Sequence, residues 1–317
     1  MLTQAVADPR AWTAATVGDP HTWYYPLPEA CLAAFEQVRR ESRDQSRPVT
    51  AIQLSEPVRT ACASALQPVR EALESGRGFA IIESPPGERR TPEDAHLLYW
   101  VVGLGLGRPF EQNVQGTLLY DVRDTGQDLA AGARFSVTNY ESSFHTDNSF
   151  GTDTLDYVGL LCLNTAKAGG RSQQVSGYAV HNELLARRPD VLETLYQPFH
   201  IDRRGGIRAG EAPTIQFPII RWGGSELHFR YLRYWIEVGH EKAGQPLSAA
   251  QKTALNVLDE FLNRPDLRAE FDLKPGDMYF INNRWILHNR TAFDDYPEVD
   301  RRRHLVRLWL RAESVGP

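Results

Sequence analysis

A β-core decorated by helices, mainly β in content and α+β in class, is the fold this sequence predicts. Three observations predict it. Short apolar runs of strand length recur between Gly78 and Leu310, several of them flanked by Gly or Pro turns. Capped helical segments sit before and between these runs. No Gly-rich strand-to-helix turn is followed by an acid, so a Rossmann reading fits poorly.

The elements follow in order. Pro28 to Arg40 and Glu56 to Gly76 read as helical, with Ser42 to Pro48 a polar break between them. Gly78 to Ile82 is a short buried strand. Thr91 caps the next helix, with Pro92 at its first position. Tyr157 to Leu163 is a second buried strand. Ile215 to Ile220 and Glu226 to Tyr231 are expected to pair across a Gly223-Gly224 turn. Ser248 and Gln251 form a capping box for a helix that stops near Asn263-Arg264-Pro265. Lys274 to Asp277 is a turn, and Met278 to Ile281 is the strand after it. We expect one domain over 1–317, with a helical N-terminal region over about 1–77.

Composition narrows the function. The net charge is −5, the pI near 6.0, and no basic run dominates, which argues against nucleic acid as a partner. Cys31, Cys62 and Cys162 are odd in number and lack metal-type spacing, which suggests a reducing compartment. No signal peptide and no bilayer-length apolar run are visible. A cytoplasmic protein with no membrane partner is expected.

Chemistry concentrates in Phe144-His145-Thr146-Asp147. On a strand, residues i and i+2 share a face, so the imidazole and the carboxylate can share one ion. His288 lies far downstream. Two histidines and one carboxylate form the facial triad that holds non-haem Fe(II) and leaves coordination positions open. Zinc can use the same donors. The remaining histidines lack such a pattern; His228 could line a pocket, with core packing the better reading. His304 should face away from Arg303.

From Arg303 to Arg311 polar and apolar residues alternate. The even positions are almost wholly apolar and should pack on a helix or second sheet. The odd positions carry Arg303 and Arg307, with backbones roughly 13 Å apart at strand rise. Such guanidinium groups suit two anionic groups, or opposite ends of one dicarboxylate region. A solvated edge strand is the alternative.

These residues carry a family resemblance. The chain resembles the taurine dioxygenase and clavaminate synthase group of Fe(II)/2-oxoglutarate-dependent oxygenases from about Gly78 to Arg311. The motifs are Phe144-His145-Thr146-Asp147, Ala168-Gly169-Gly170-Arg171-Ser172, His288-Asn289-Arg290-Thr291-Ala292-Phe293 and Arg302 to Arg307. The resemblance implies a double-stranded β-helix, or jelly roll. It implies iron on His145, Asp147 and His288. Arg303, fifteen residues after His288, would pair with the distal carboxylate of 2-oxoglutarate, and Ser172 would hydrogen-bond the same co-substrate. Arg307 would lie near the co-substrate and an anionic group of the substrate. O2 would be consumed, succinate and CO2 released, and a C–H bond of a small polar substrate oxidised. Asp147 disfavours halogenation, because halogenating relatives replace that carboxylate with a small residue.

Substrate contacts are expected from Asn113, Glu141 and Asn148, with Phe150 beside the last. If Glu141 and Arg307 both face the pocket, an amino acid or other zwitterion fits. Asp121 to Ala131 and Asp202 to Glu211 are candidate lids, with ordinary surface loops the equal alternative. The competing functions are a non-catalytic jelly-roll protein that binds a metal or ligand, and a zinc hydrolase.

Overall fold

The structure is a computed structural model and describes residues 1–41, 47–84, 90–126, 138–151, 155–204 and 210–313. The candidate lids fall partly outside this set, at 127–131 and 205–209. So does most of the polar break, at 42–46. Among the described residues, no helix is long and apolar enough to cross a membrane.

Two sheets pack face to face. In the larger, Tyr24–Pro26, Phe79–Glu83, Met278–Asn282, Tyr157–Asn164 and His304–Ala312 lie side by side. Gly107–Phe110 and Leu119–Val122 both pair with the last of these. The smaller sheet orders Arg268–Phe271, Ser172–Ser176 and Ile286–Arg290, all antiparallel. A bridge between His145 and His288 adds one more segment to its edge. This is the jelly-roll core the resemblance implies.

The burial pattern explains why the strands read as continuous apolar runs. Phe79, Val158, Tyr279 and Trp309 of the large sheet share one cluster with Val175, Ile286 and Leu287 of the small sheet. The other face of the large sheet, with Ala80, Leu161 and Phe280, joins residues of the N-terminal helices in a second cluster. A strand covered on both faces needs apolar side chains at odd and even positions alike. The last strand shows the division clearly. Leu305 and Trp309 belong to the first cluster, and Val306, Leu308 and Leu310 to the second. The helix Pro92–Leu106 lies so close to this strand that a Cβ on Gly103 would sit 2.4 Å from Leu308 Cδ2.

The predicted caps form. Thr91 accepts from the Asp94 N–H, and Ser248 and Gln251 make both bonds of a capping box. Three expectations need correction. The run from Glu56 divides into helices Glu56–Ala65 and Gln67–Glu74 at Leu66, because Pro68 has no N–H to continue the ladder back to the first helix. The run from Ile215 divides at Pro218. Thr214–Pro218 pairs with Pro198–Asp202, and only Ile220–Trp222 pairs with Leu227–Phe229 across the Gly223-Gly224 turn. The N-terminal region also supplies a strand, since Tyr24–Pro26 pairs in parallel with Phe79–Glu83.

Candidate metal and active site

His145 and Asp147 do not lie on a strand, as their spacing suggests. His145 makes a one-residue bridge, and the chain enters a turn at Asp147. The bridge is reciprocal: His145 N–H donates to His288 O and His288 N–H to His145 O, both at 3.0 Å. The turn is pinned from another side. Asp147 N–H donates to Asn283 Oδ1 at 2.8 Å, and Asn283 Nδ2 donates to Asp147 O at 2.9 Å.

These bonds bring together three side chains that are distant in sequence. One donor atom from each of His145, Asp147 and His288 lies within 4.8 Å of the other two. Asp147 Oδ1 is 3.4 Å from His145 Nε2 and 3.9 Å from His288 Nε2. The donor set fits a divalent ion, because each group holds its lone-pair form. His145 Nδ1 lies 2.8 Å from the Ser143 carbonyl, which can only accept. Nδ1 therefore donates to that carbonyl, which leaves Nε2 as the nitrogen turned toward Asp147 and a metal. Burial lowers His288 to about 3, and the neighbouring His145 and Arg307 add to that. Its imidazole is neutral. Burial by itself would raise Asp147, but the adjacent Arg307 guanidinium outweighs it and holds the acid well below the usual carboxylate range.

The two oxygens of Asp147 have different partners. Oδ2 accepts from Trp309 Nε1 at 2.7 Å and lies 3.0 Å from Arg307 Nη1. Oδ1 is left facing the imidazoles. Arg307 also donates from Nε to Gln112 Oε1 at 2.8 Å, and Gln112 Nε2 returns to the Arg307 carbonyl at 2.8 Å.

Arg303 and Ser172 line the same cavity as the three donors. Arg303 lies just before the last strand, whose ladder shifts register between His304 and Leu305. Its side chain is buried, and burial lowers it to about 10. The guanidinium packs 5.2 Å from the Phe293 ring centroid, and the described residues offer it no carboxylate within ion-pairing distance. Gly169 and Gly170 make room for it. Both have left-handed backbone, φ 74° and 75°, and a Cβ on Gly170 would lie 3.2 Å from Arg303 Nε. His304 turns the other way, as expected, and meets Asp121 Oδ1 at 2.7 Å.

The expected substrate residues fare differently. Arg307 reaches the cavity, but its guanidinium is held by Asp147 and Gln112. Glu141 is exposed and lies nearer Arg290, so the zwitterion-binding pair is not assembled. Asn113 caps its own turn, accepting from Gln115 N–H and Thr117 N–H at 3.1 Å. Asn148 lines a second cavity on another flank of Asp147. Phe150 is partly buried against the core.

A model of the taurine catabolism dioxygenase TauD, TfdA family matches residues 42–309. The chain belongs to this dioxygenase family. FR-33289 synthase of Streptomyces rubellomurinus is 30% identical, over 99% of this chain and 92% of that one. An asparagine oxygenase solved with Fe(II), 2S,3S-3-hydroxyasparagine and succinate has the same fold, with a TM-score of 0.66 at 18% identity, covering 92% of this chain and 93% of that one. The non-heme iron oxygenase OrfP, solved with Fe and alpha-ketoglutaric acid, gives 0.65 at 16% identity, covering 92% and 94%. Membership of a dioxygenase family displaces the zinc-hydrolase and non-catalytic readings.

For a TauD, TfdA family member, the residues that sequence reasoning missed are those that hold the triad. Trp309 is the clearest. It follows Arg307 at the same-face spacing of a strand, and a buried indole N–H needs an acceptor. Gln112 stands next to Asn113, and no local signal separates the two. Asn283 acts through backbone contacts that only the folded chain reveals.

Proposed function

We propose that this protein is an Fe(II)- and 2-oxoglutarate-dependent dioxygenase that hydroxylates an unactivated C–H bond of a small polar substrate, such as an amino acid or a natural-product intermediate. His145, Asp147 and His288 would hold the iron, and Arg303 and Ser172 the distal carboxylate of 2-oxoglutarate. Bound iron and 2-oxoglutarate supply the oxidising chemistry, with O2 consumed and succinate and CO2 released. The protein's own part is positional. The Ser143 carbonyl fixes the His145 tautomer. Arg307 and Trp309 hold Oδ2 of Asp147 and leave Oδ1 for the ion. The Gly169-Gly170 turn leaves space beside Arg303.

The observation that carries this reading is a buried guanidinium with no carboxylate partner among the described residues, sharing one cavity with two histidines and a carboxylate. A buried cation without a counter-anion is unfavourable. An anionic co-substrate that also reaches the metal relieves it. Asparagine oxygenase and OrfP, which share the fold, support the amino-acid class.

The test is succinate formation from 2-oxoglutarate by anaerobically Fe(II)-loaded protein exposed to air. Slow succinate release is expected without added substrate, and none from Asp147→Ala. Absence of both succinate formation and 2-oxoglutarate binding in the unaltered protein would overturn the proposal.

A further inference from the structure

A second cavity, of about 150 Å³, lies on another flank of Asp147. Its lining includes Asn148, Ser149, Phe217, Arg221, His228 and Arg230. The chain reaches it directly from the metal triad, because Asn148 takes up left-handed backbone, φ 54°, one residue after Asp147. Thr146 N–H donates to Tyr231 O at 2.9 Å and Thr146 Oγ1 accepts from Tyr231 N–H at 3.1 Å, which sets Arg230 beside the same segment.

The charges in this cavity are unbalanced. Arg284 also lines it, but Asp156 and Glu226 at 2.8 Å, together with Glu74, match its charge. Arg230 has no such match. It donates to the Gly151 carbonyl at 2.6 Å and lies 3.9 Å over the Phe217 ring, and no carboxylate among the described residues pairs with it. Burial lowers it to about 10, and Arg221 adds to that. Arg221 is exposed at the rim and makes no ion pair among the described residues. His228 has its nearest acid, Glu226, at 3.6 Å, and that acid already serves Arg284. Asp147 is the one carboxylate in the lining among the described residues, and its oxygens face the imidazoles, Arg307 and Trp309. Ser149 Oγ is buried and has no partner among the described residues.

Two guanidinium groups without carboxylates and a hydroxyl without a partner, all among the described residues, make an oxyanion receptor. We propose that this cavity binds an anionic group of the primary substrate, a carboxylate or phosphoryl oxyanion, through Arg230, Arg221 and Ser149. This rests on the dioxygenase reading, which places the oxidised C–H bond next to Asp147. The substrate class is then a small acid anchored on the Asn148–Ser149 side of the metal, with Arg307 left to hold Asp147.

The test is calorimetric titration of inorganic phosphate, and separately acetate, into the full-length protein saturated with 2-oxoglutarate. Saturation blocks Arg303, so an anion that binds there is not counted. Weak binding of at least one probe is expected. Arg230→Gln should lower its affinity about tenfold, as loss of one charge-assisted contact predicts. Arg221→Gln, at an exposed position, should lower it several-fold without disturbing the fold. Ser149→Ala should weaken it as well, and 2-oxoglutarate affinity should stay unchanged in all three. Phosphate binding alone would assign the phosphoryl class, and acetate binding the carboxylate class. Equal anion affinity in the unaltered protein, Arg230→Gln and Arg221→Gln would overturn the proposal, as would no binding of either probe. Arg230-dependent anion binding by a protein that binds neither iron nor 2-oxoglutarate would overturn the dioxygenase reading and leave the anion site standing.

Discussion

Trp309→Phe isolates one bond. The indole N–H donates to Asp147 Oδ2 at 2.7 Å, and both partners are buried. Phenylalanine keeps most of the ring, including the stacking face toward Phe110, 6.4 Å away between centroids. What disappears is a hydrogen bond to a buried carboxylate, worth about 1.5–3 kcal/mol. Arg307 still holds Oδ2 at 3.0 Å, so the lower part of that range applies. A carboxylate held on one side can rotate and present Oδ1 less well to a metal. Partners behind a metal ligand typically contribute about 10–100-fold in metal affinity, and tenfold is about 1.4 kcal/mol. Trp309→Phe should therefore weaken Fe(II) binding about tenfold in anaerobic competition with a chelator. The 2-oxoglutarate affinity of the metal-loaded protein should change far less. Unaltered Fe(II) affinity, in a variant whose urea midpoint falls, would refute the reasoning. It would mean that the bond stabilises the fold and does not orient the ligand.

Other outcomes follow from the same geometry. Gly170→Ala should raise the Kd for 2-oxoglutarate up to about tenfold, because left-handed backbone costs a non-glycine residue roughly 1–2 kcal/mol and the new Cβ crowds Arg303; Kd titrations of the two proteins check it. His181 is fully buried, neither ring nitrogen has a hydrogen-bond partner among the described residues, and burial lowers it to about 4. The unfolded chain takes up this proton near 6.5 and the folded one only near 4, so stability is full above 6.5 and falls as the pH drops between these values. Urea midpoints should show a loss of about 2 kcal/mol from this residue between pH 7.5 and pH 5, absent in His181→Leu. Ser248→Ala should destabilise the protein by ~1 kcal/mol in the same assay, since it removes the capping box of the helix Ala249–Leu262.

How much of this was legible in the chain depends on the distance over which each feature is encoded. Thr91 and Ser248 cap helices through bonds three residues long, so sequence spacing captures them. The last strand is legible because its two faces meet two different clusters, and period-two alternation records both. Pairing partners are another matter. Ile215 and Ile220 look like one strand, and Pro218 between them sends the two halves to different neighbours. The triad was readable as residue types in order, but its scaffold was not. Asn283 reaches Asp147 across 136 positions, and Gln112 reaches Arg307 across 195. The strand alternation places Arg307 as a cation facing the site. That it is held by Asp147 depends on a side-chain distance, and no pattern of residue types encodes one.

The two cavities beside Asp147 share a logic of charge. The inner one gathers Arg290, Arg303 and Arg307 around a single carboxylate. Arg307 and Asp147 satisfy each other at 3.0 Å. Arg290 donates to the Thr138 carbonyl at 3.2 Å and also to Tyr140, and burial lowers it to about 9. Arg303 packs against the Phe293 ring and makes no ion pair among the described residues. A divalent metal on the triad adds more positive charge to this space. In a poorly solvated cavity such repulsion costs several kcal/mol unless anions enter. A dianionic co-substrate would supply one carboxylate for the metal and another for Arg303, which is the balance the proposed binding of 2-oxoglutarate would bring. The outer cavity repeats the imbalance with Arg230 and Arg221. Asp147 separates the two, and with Oδ2 held by Arg307 and Trp309 it neutralises neither Arg303 nor Arg230. A substrate that is itself an anion completes the balance on the second flank as the co-substrate does on the first.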